Sequence, residues 1–285
     1  MSLAPDSRPE MGLQLLLEEL QLYAGLRFIS VPAALAPISP LRPNLATGAN
    51  LLLISDALPA LTIEGQHKEE DEGTSSDTFS LTALRAERLT RLAFRLARER
   101  RKPLCIVDMP GLPATSRLFE QAASKAAKDH PSVTCRHLCV DHFIEEWVRN
   151  PAQFSAALCG PLAGSAVSGA AAALMGGRGV LPGAFLGDSK PILYQPAHGP
   201  EPEIAGKDIA DPIGMILCAA MMLRLSLNLS NEAECVETAV ANVLEAGWRT
   251  ADLTPGGSPK VGTEAIGKLI AEQVDTVGAV MNPVR

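Results

Sequence analysis

The chain has no pair of cysteines at CxxC spacing, so neither a disulfide framework nor a zinc ribbon is suggested. Cys105, Cys135, Cys139, Cys159, Cys218 and Cys235 lie in apolar segments instead and read as reduced core residues. An excess of positive charge is also lacking. With 25 Lys and Arg against 32 Asp and Glu, the net charge of -7 repels phosphate backbones and argues against nucleic acid or an anionic membrane as main partner. The longest apolar run, Ile213 to Leu223, is too short to span a bilayer. No basic start with a following apolar stretch opens the chain, so the expectation is a cytoplasmic protein, neither secreted nor inserted. No GxGxxG or P-loop spacing occurs in the Gly- and Ala-rich stretch 160–179, where close backbone approach is the preferred reading.

What is present is enough apolar material, 47% of 285 residues, for one large core or two coupled ones. Residues 8–21 read as a helix with Leu13, Leu16, Leu17 and Leu20 on one face, followed by the strand-like LRFISV. Residues 64–80 are acidic and Ser-rich, and read as an exposed loop or arm. A second amphipathic helix carries Leu89, Leu92, Ala93 and Leu96 on one side and Arg88, Arg91, Arg95 and Arg98 on the other; the arginine stripe reads as a solvated face. PLCIVDM is a buried strand ending on Asp108, VTCRHLCVD a strand ending on Asp141, and FSAALCG a third short strand. Asp211 before Pro212 marks a helix start, and the all-round hydrophobicity of IGMILCAAMMLRLSL implies a core or interface helix. The last helices carry Val236, Val240, Val243 and Leu244, then Ile266, Leu269, Ile270 and Val274, with Gly247 as a cap between them. Repeated helix–strand alternation with polar groups at strand carboxyl ends predicts a mainly parallel α/β sheet with a ligand crevice there.

The segment PAHGPEPEIAGKDIADPIGMILCAAMMLRLSLNL, residues 196–229, resembles the adenosine-binding loop and dimer-side helix of the isocitrate/isopropylmalate family of β-decarboxylating dehydrogenases. RPEMGLQLLLEELQLYAGLR, RNPAQFSAALCGPLAG, GVLPGAFLG and EAGWRTADL extend the similarity from Arg8 to Val274, with wording closest to the fungal-type isopropylmalate members. The resemblance implies two domains around a mainly parallel sheet: 1–25 with 176–285 as a larger α/β domain, and 26–175 as a smaller dimerisation domain. It also implies a homodimer with shared active sites. The family's first strand-helix elements, with their GDGIGPE turn, have no counterpart.

Departures from the family pattern shape the functional expectation. Of the arginines that hold the substrate carboxylates, the first falls on Leu17, the second is kept as Arg27 and the third falls on Ser55. The tyrosine position aligns with Thr62, or with Glu64, and the lysine of VDKAN is Met109 in VDMPG. Asp141 remains of the metal carboxylates, while Ser165 and Gly169 stand in AGSAVSGA where the family reads FGDxxSDE, so no metal is expected. Glu10, His198, Gly199 and Asp211 match the cofactor side as vestiges, and no cofactor is expected. An apolar cleft lined by Leu17, Thr62, Met109, Ser165 and Gly169, with Arg27, Asp108, Asp141 and His142 as polar or acid–base groups, fits a non-redox isomerisation or cyclisation such as a [4+2] addition of a hydrophobic metabolite. A regulatory or scaffold partner of a dehydrogenase is the alternative, and a residual NAD-linked dehydrogenase ranks last.

Overall fold

The computed structural model describes residues 9–57, 80–160, 162–189, 191–254 and 261–281, with backbone only for 9–11. Helix α1 (Pro9–Glu19) leads into β1 (Ala24–Ser30), then the short α2 (Pro43–Ala46) and β2 (Asn50–Asp56). Three βα steps follow: α3 (Ala83–Arg100), β3 (Leu104–Asp108), α4 (Pro113–Asp129), β4 (Cys135–Cys139), α5 (Val140–Arg149) and β5 (Ala156–Cys159). The chain continues through α6 (Ala163–Met175), β6 (Ala184–Leu186) and β7 (Leu193–Tyr194), and closes with α7 (Ile213–Leu225), α8 (Ser230–Glu245) and α9 (Thr263–Met281).

The seven strands form one mixed sheet in the order β4-β3-β5-β2-β1-β6-β7. β2, β5, β3 and β4 run parallel, whereas β1 is antiparallel to both β2 and β6, and β7 is antiparallel to β6. Pairing of Ala24–Leu26 with Ala184–Leu186 carries the sheet without a break from the early chain to the segment after α6.

Period-two alternation on the central strands divides the core. Leu52, Ile54, Leu104, Ile106, Ala156 and Leu158 point to the face covered by α3 and α4, where Phe94 and Phe119 are fully buried. Leu51, Leu53, Cys105, Val107, Ala157 and Cys159 point to the opposite face with Phe143, Trp147 and the helices from α6 onward. The chain moves outward from β2 to β3 and β4 through α3 and α4 and returns through α5 to β5, and because each βαβ unit turns with one hand this reversal puts α5 on the opposite face.

Several expectations change at the level of elements. Asp141 does not end a strand: β4 stops at Cys139, and Asp141 and His142 are exposed in the first turn of α5. Within the stretch 160–179 lies α6, and close approach is found at Gly164, where a Cβ would stand 2.7 Å from the Ser55 Cβ. Leu16 is half exposed, since the buried face of α1 is centred on Leu17. α7 is not buried all round; Met215 and Met222 face outward at 53% and 40% exposure. Cys135 is exposed, while every cysteine is free. Along α3, Arg91, Arg95 and Arg98 are exposed as expected, but Arg88 donates to Asp188 at 2.7 Å and lies over the Tyr23 ring. Residues 64–79 of the acidic segment lie outside the described residues.

Candidate functional site

At the carboxyl ends of β2 and β5, where an open α/β sheet leaves a crevice, a cleft of about 390 Å³ opens beneath α1 and α6. Leu17 supplies its apolar wall, Arg27 rises from β1, Ser55 and Asp56 come from the end of β2, and Ser165 and Gly169 face in from α6. Arg27 is the unusual member. Its Nε is buried with no hydrogen-bond partner, and burial lowers its pKa, yet a guanidinium stays charged at any pH the protein meets. The guanidinium thus presents an unneutralised positive charge to the cleft, where an anion would be favoured. Asp56 is not that anion, because Arg85 of α3 engages it, donating from Nε at 3.0 Å.

Next to the cleft lies a larger cavity of about 740 Å³, walled by the loop 198–211, the turn 177–179 and Thr263 at the start of α9. His198 bonds through Nδ1 to the Gly199 carbonyl at 3.0 Å. Asp211 accepts from the Ile213 amide at 2.9 Å, capping α7 in the way the DP signal anticipates. Its other carboxylate oxygen is buried, and burial, reinforced by Asp252, lifts its pKa to about 7 in spite of the cap and of the neighbouring Thr250 hydroxyl. Gly199 and Gly206 leave open space where a side chain would stand.

Arg178, His198 and Gly199 line both spaces. Of the residues singled out from sequence, the fold thus gathers Leu17, Arg27, Ser165, Gly169, His198 and Gly199 around one cleft, with Asp211 in the adjoining cavity. Asp108, Asp141, His142 and Met109 are not among the residues lining either space. Asp108 faces His137 at 3.2 Å, and Met109 packs against the larger core. Thr62 lies outside the described residues, and Glu10 sits in the first turn of α1 with its side chain undescribed. Sequence reasoning passed over Arg178, Gln195 and Ser168; a charged residue framed by glycines in GGRGV was the available signal for the first.

Two adjoining spaces, one loop-walled and one containing Arg27, lie at the carboxyl ends of a mixed α/β sheet, where proteins of the doubly wound class leave their ligand crevice. The isocitrate/isopropylmalate dehydrogenase family model matches residues 2–270. A 3-isopropylmalate dehydrogenase of Geobacillus kaustophilus is 40% identical over 91% of this chain and 71% of its own length, and one of Nitratidesulfovibrio vulgaris is 38% identical over 95% and 77%. Among solved structures, isocitrate dehydrogenase from Methylococcus capsulatus superposes with a TM-score of 0.77 at 30% identity, over 89% of this chain and 74% of that one. The chain belongs to the isocitrate/isopropylmalate dehydrogenase family.

That relationship overturns the non-redox reading. Relatives at 35–40% identity over nearly the whole chain are 3-isopropylmalate dehydrogenases, which points to dehydrogenase function and not to non-redox repurposing as an isomerase or cyclase. Among the described residues no helix is long and apolar enough to cross a membrane.

Proposed function

We propose that the chain is a dinucleotide-linked dehydrogenase acting on a hydroxy dicarboxylic acid of the isopropylmalate type. The supporting observation is the common wall of Arg178, His198 and Gly199, which lets a ligand in the loop cavity meet an acid seated at Arg27. Arg27 binds and orients a substrate carboxylate, while Leu17 and Phe185 offer the apolar surface that suits an alkyl substituent and excludes water.

The loop cavity fits a nucleotide: it has the volume, backbone left bare at Gly199 and Gly206, and carboxylates at Glu201, Asp208 and Asp211 that can accept from ribose hydroxyls. A bound dinucleotide would supply the hydride acceptor. The donors of the cleft, Ser55, Ser165, Ser168 and an Asp56 already held by Arg85, do not form a divalent-cation set within one chain. Among the described residues there is also no group of three His, Cys, Asp or Glu placed to hold a metal.

The chain is further proposed to act as a homodimer whose interface includes α7. The outward Met215, Met222, Leu227 and Leu229 at and beyond α7 support a covered face beside that helix. The decisive experiment is reduction of NAD followed at the NADH absorbance band with 3-isopropylmalate, with and without Mg²⁺ or Mn²⁺. NADH formation is expected; absence of turnover under every condition, together with no thermal stabilisation by NAD, overturns the proposal.

A further inference from the structure

We propose that Arg178 is the oxyanion clamp at the junction of the two spaces, taking either a phosphate of the dinucleotide or a carboxylate of the acid. This rests on the dehydrogenase reading for the identity of its ligands, although not for the anion contact itself. Arg178 opens the short turn Arg178–Val180, is exposed at residue level, and among the described residues makes no ion pair. It lines the loop cavity and the Arg27 cleft alike.

The backbone holds this arginine in place by close approach. A Cβ on Gly179 would fall 2.6 Å from the Asp211 Cβ, one on Gly214 would fall 2.5 Å from the Gly179 carbonyl oxygen, and one on Gly177 would fall 3.3 Å from Asp252 Oδ2. Bare backbone on each side of the turn therefore lets it nest against the start of α7 and the 251–253 segment. The consequence is that the Cα of Arg178 is held at the junction of the two spaces by a tightly packed turn.

Charge gives the second argument. Glu201, Asp208 and Asp252 make the loop cavity acidic, and among its described lining residues Arg178 is the one Lys or Arg. Carboxylates suit the hydroxyl-bearing end of a nucleotide and repel its phosphates. A phosphate is favoured where a positive group offsets that field, and Arg178 is such a group on the wall that this cavity shares with the Arg27 cleft. Arg27 and Arg178 both line that cleft, and Arg presents its donors as a planar fork for carboxylate and phosphate alike.

The test uses the intact chain and its Arg178→Ala, Arg178→Lys and Arg98→Ala variants, with affinities for NADH, inorganic pyrophosphate and malonate measured by calorimetry at low and high salt. Arg178→Ala is expected to weaken pyrophosphate or malonate at least tenfold, Arg178→Lys to recover part of that loss, and Arg98→Ala to change nothing. Loss confined to pyrophosphate and NADH assigns the clamp to the nucleotide; loss confined to malonate assigns it to the acid. Wild-type binding of NADH with unaltered affinities in a folded Arg178→Ala protein sinks the clamp and leaves the dehydrogenase reading standing. Pyrophosphate binding that depends on Arg178, without any NADH binding, does the reverse. No binding of any probe by the wild type overturns both.

Discussion

Replacing Asp211 by asparagine isolates the effect of its charge. The carboxyl caps α7 through one oxygen, and asparagine keeps that acceptor as an equally good cap. What disappears is the ionisation of a group whose pKa burial lifts from 3.8 to about 7. The folded state holds this proton more tightly than the unfolded chain, so stability from this site is full below about pH 4 and is lost as pH rises toward about 7. A gap of about three units corresponds to about 4 kcal/mol at ~1.4 kcal/mol per unit. Because Asp211 borders a cavity open to water, screening reduces the realistic figure to about 1–2 kcal/mol. Asp211→Asn is therefore expected to be about 1–2 kcal/mol more stable than wild type at pH 8 and nearly equal to it at pH 4. Urea titrations at pH 4, 6 and 8 read this directly. Parallel profiles for the two proteins, or a less stable variant at pH 8, would refute the account of Asp211 as an ionisable group held in a poorly solvated site.

Arg27→Met, which removes the unpaired guanidinium, should weaken dicarboxylate binding at least tenfold in calorimetry while leaving the melting temperature unchanged or raised. Gly179→Ala forces a Cβ against Asp211 and should cost about 1–3 kcal/mol, seen as a lower urea midpoint. Trp147 is fully buried, stacks on Phe143 at 5.9 Å between ring centroids, and leaves its indole N–H without a partner. Trp147→Ala should cost about 3–5 kcal/mol. Trp147→Phe should cost less than about 1.5 kcal/mol, since it also removes the unsatisfied donor; an equal loss in both variants would show that the indole contributes more than volume.

Local pattern alone determined most of the framework. Pro103 ending α3, the apolar run of β3, the DP start of α7 and the left-handed Gly247 after α8 are each set by backbone chemistry within a few residues, so they could be read without a fold. The family was equally legible, because loop 196–211 and α7 carry a long, specific string. Only the tertiary structure decided which of the singled-out residues meet. Arg27, Ser165 and His198 are far apart in sequence and share a wall because β1, α6 and the loop before α7 converge at the strand ends. Asp141 and His142 carry the same kinds of functional groups, yet a strand that stops two residues before Asp141 turns them outward on α5. Arg178 escaped notice for the same reason: nothing in GGRGV indicates that its glycines lie against Asp211 and Asp252, and that contact, made across the fold, fixes where the charge stands.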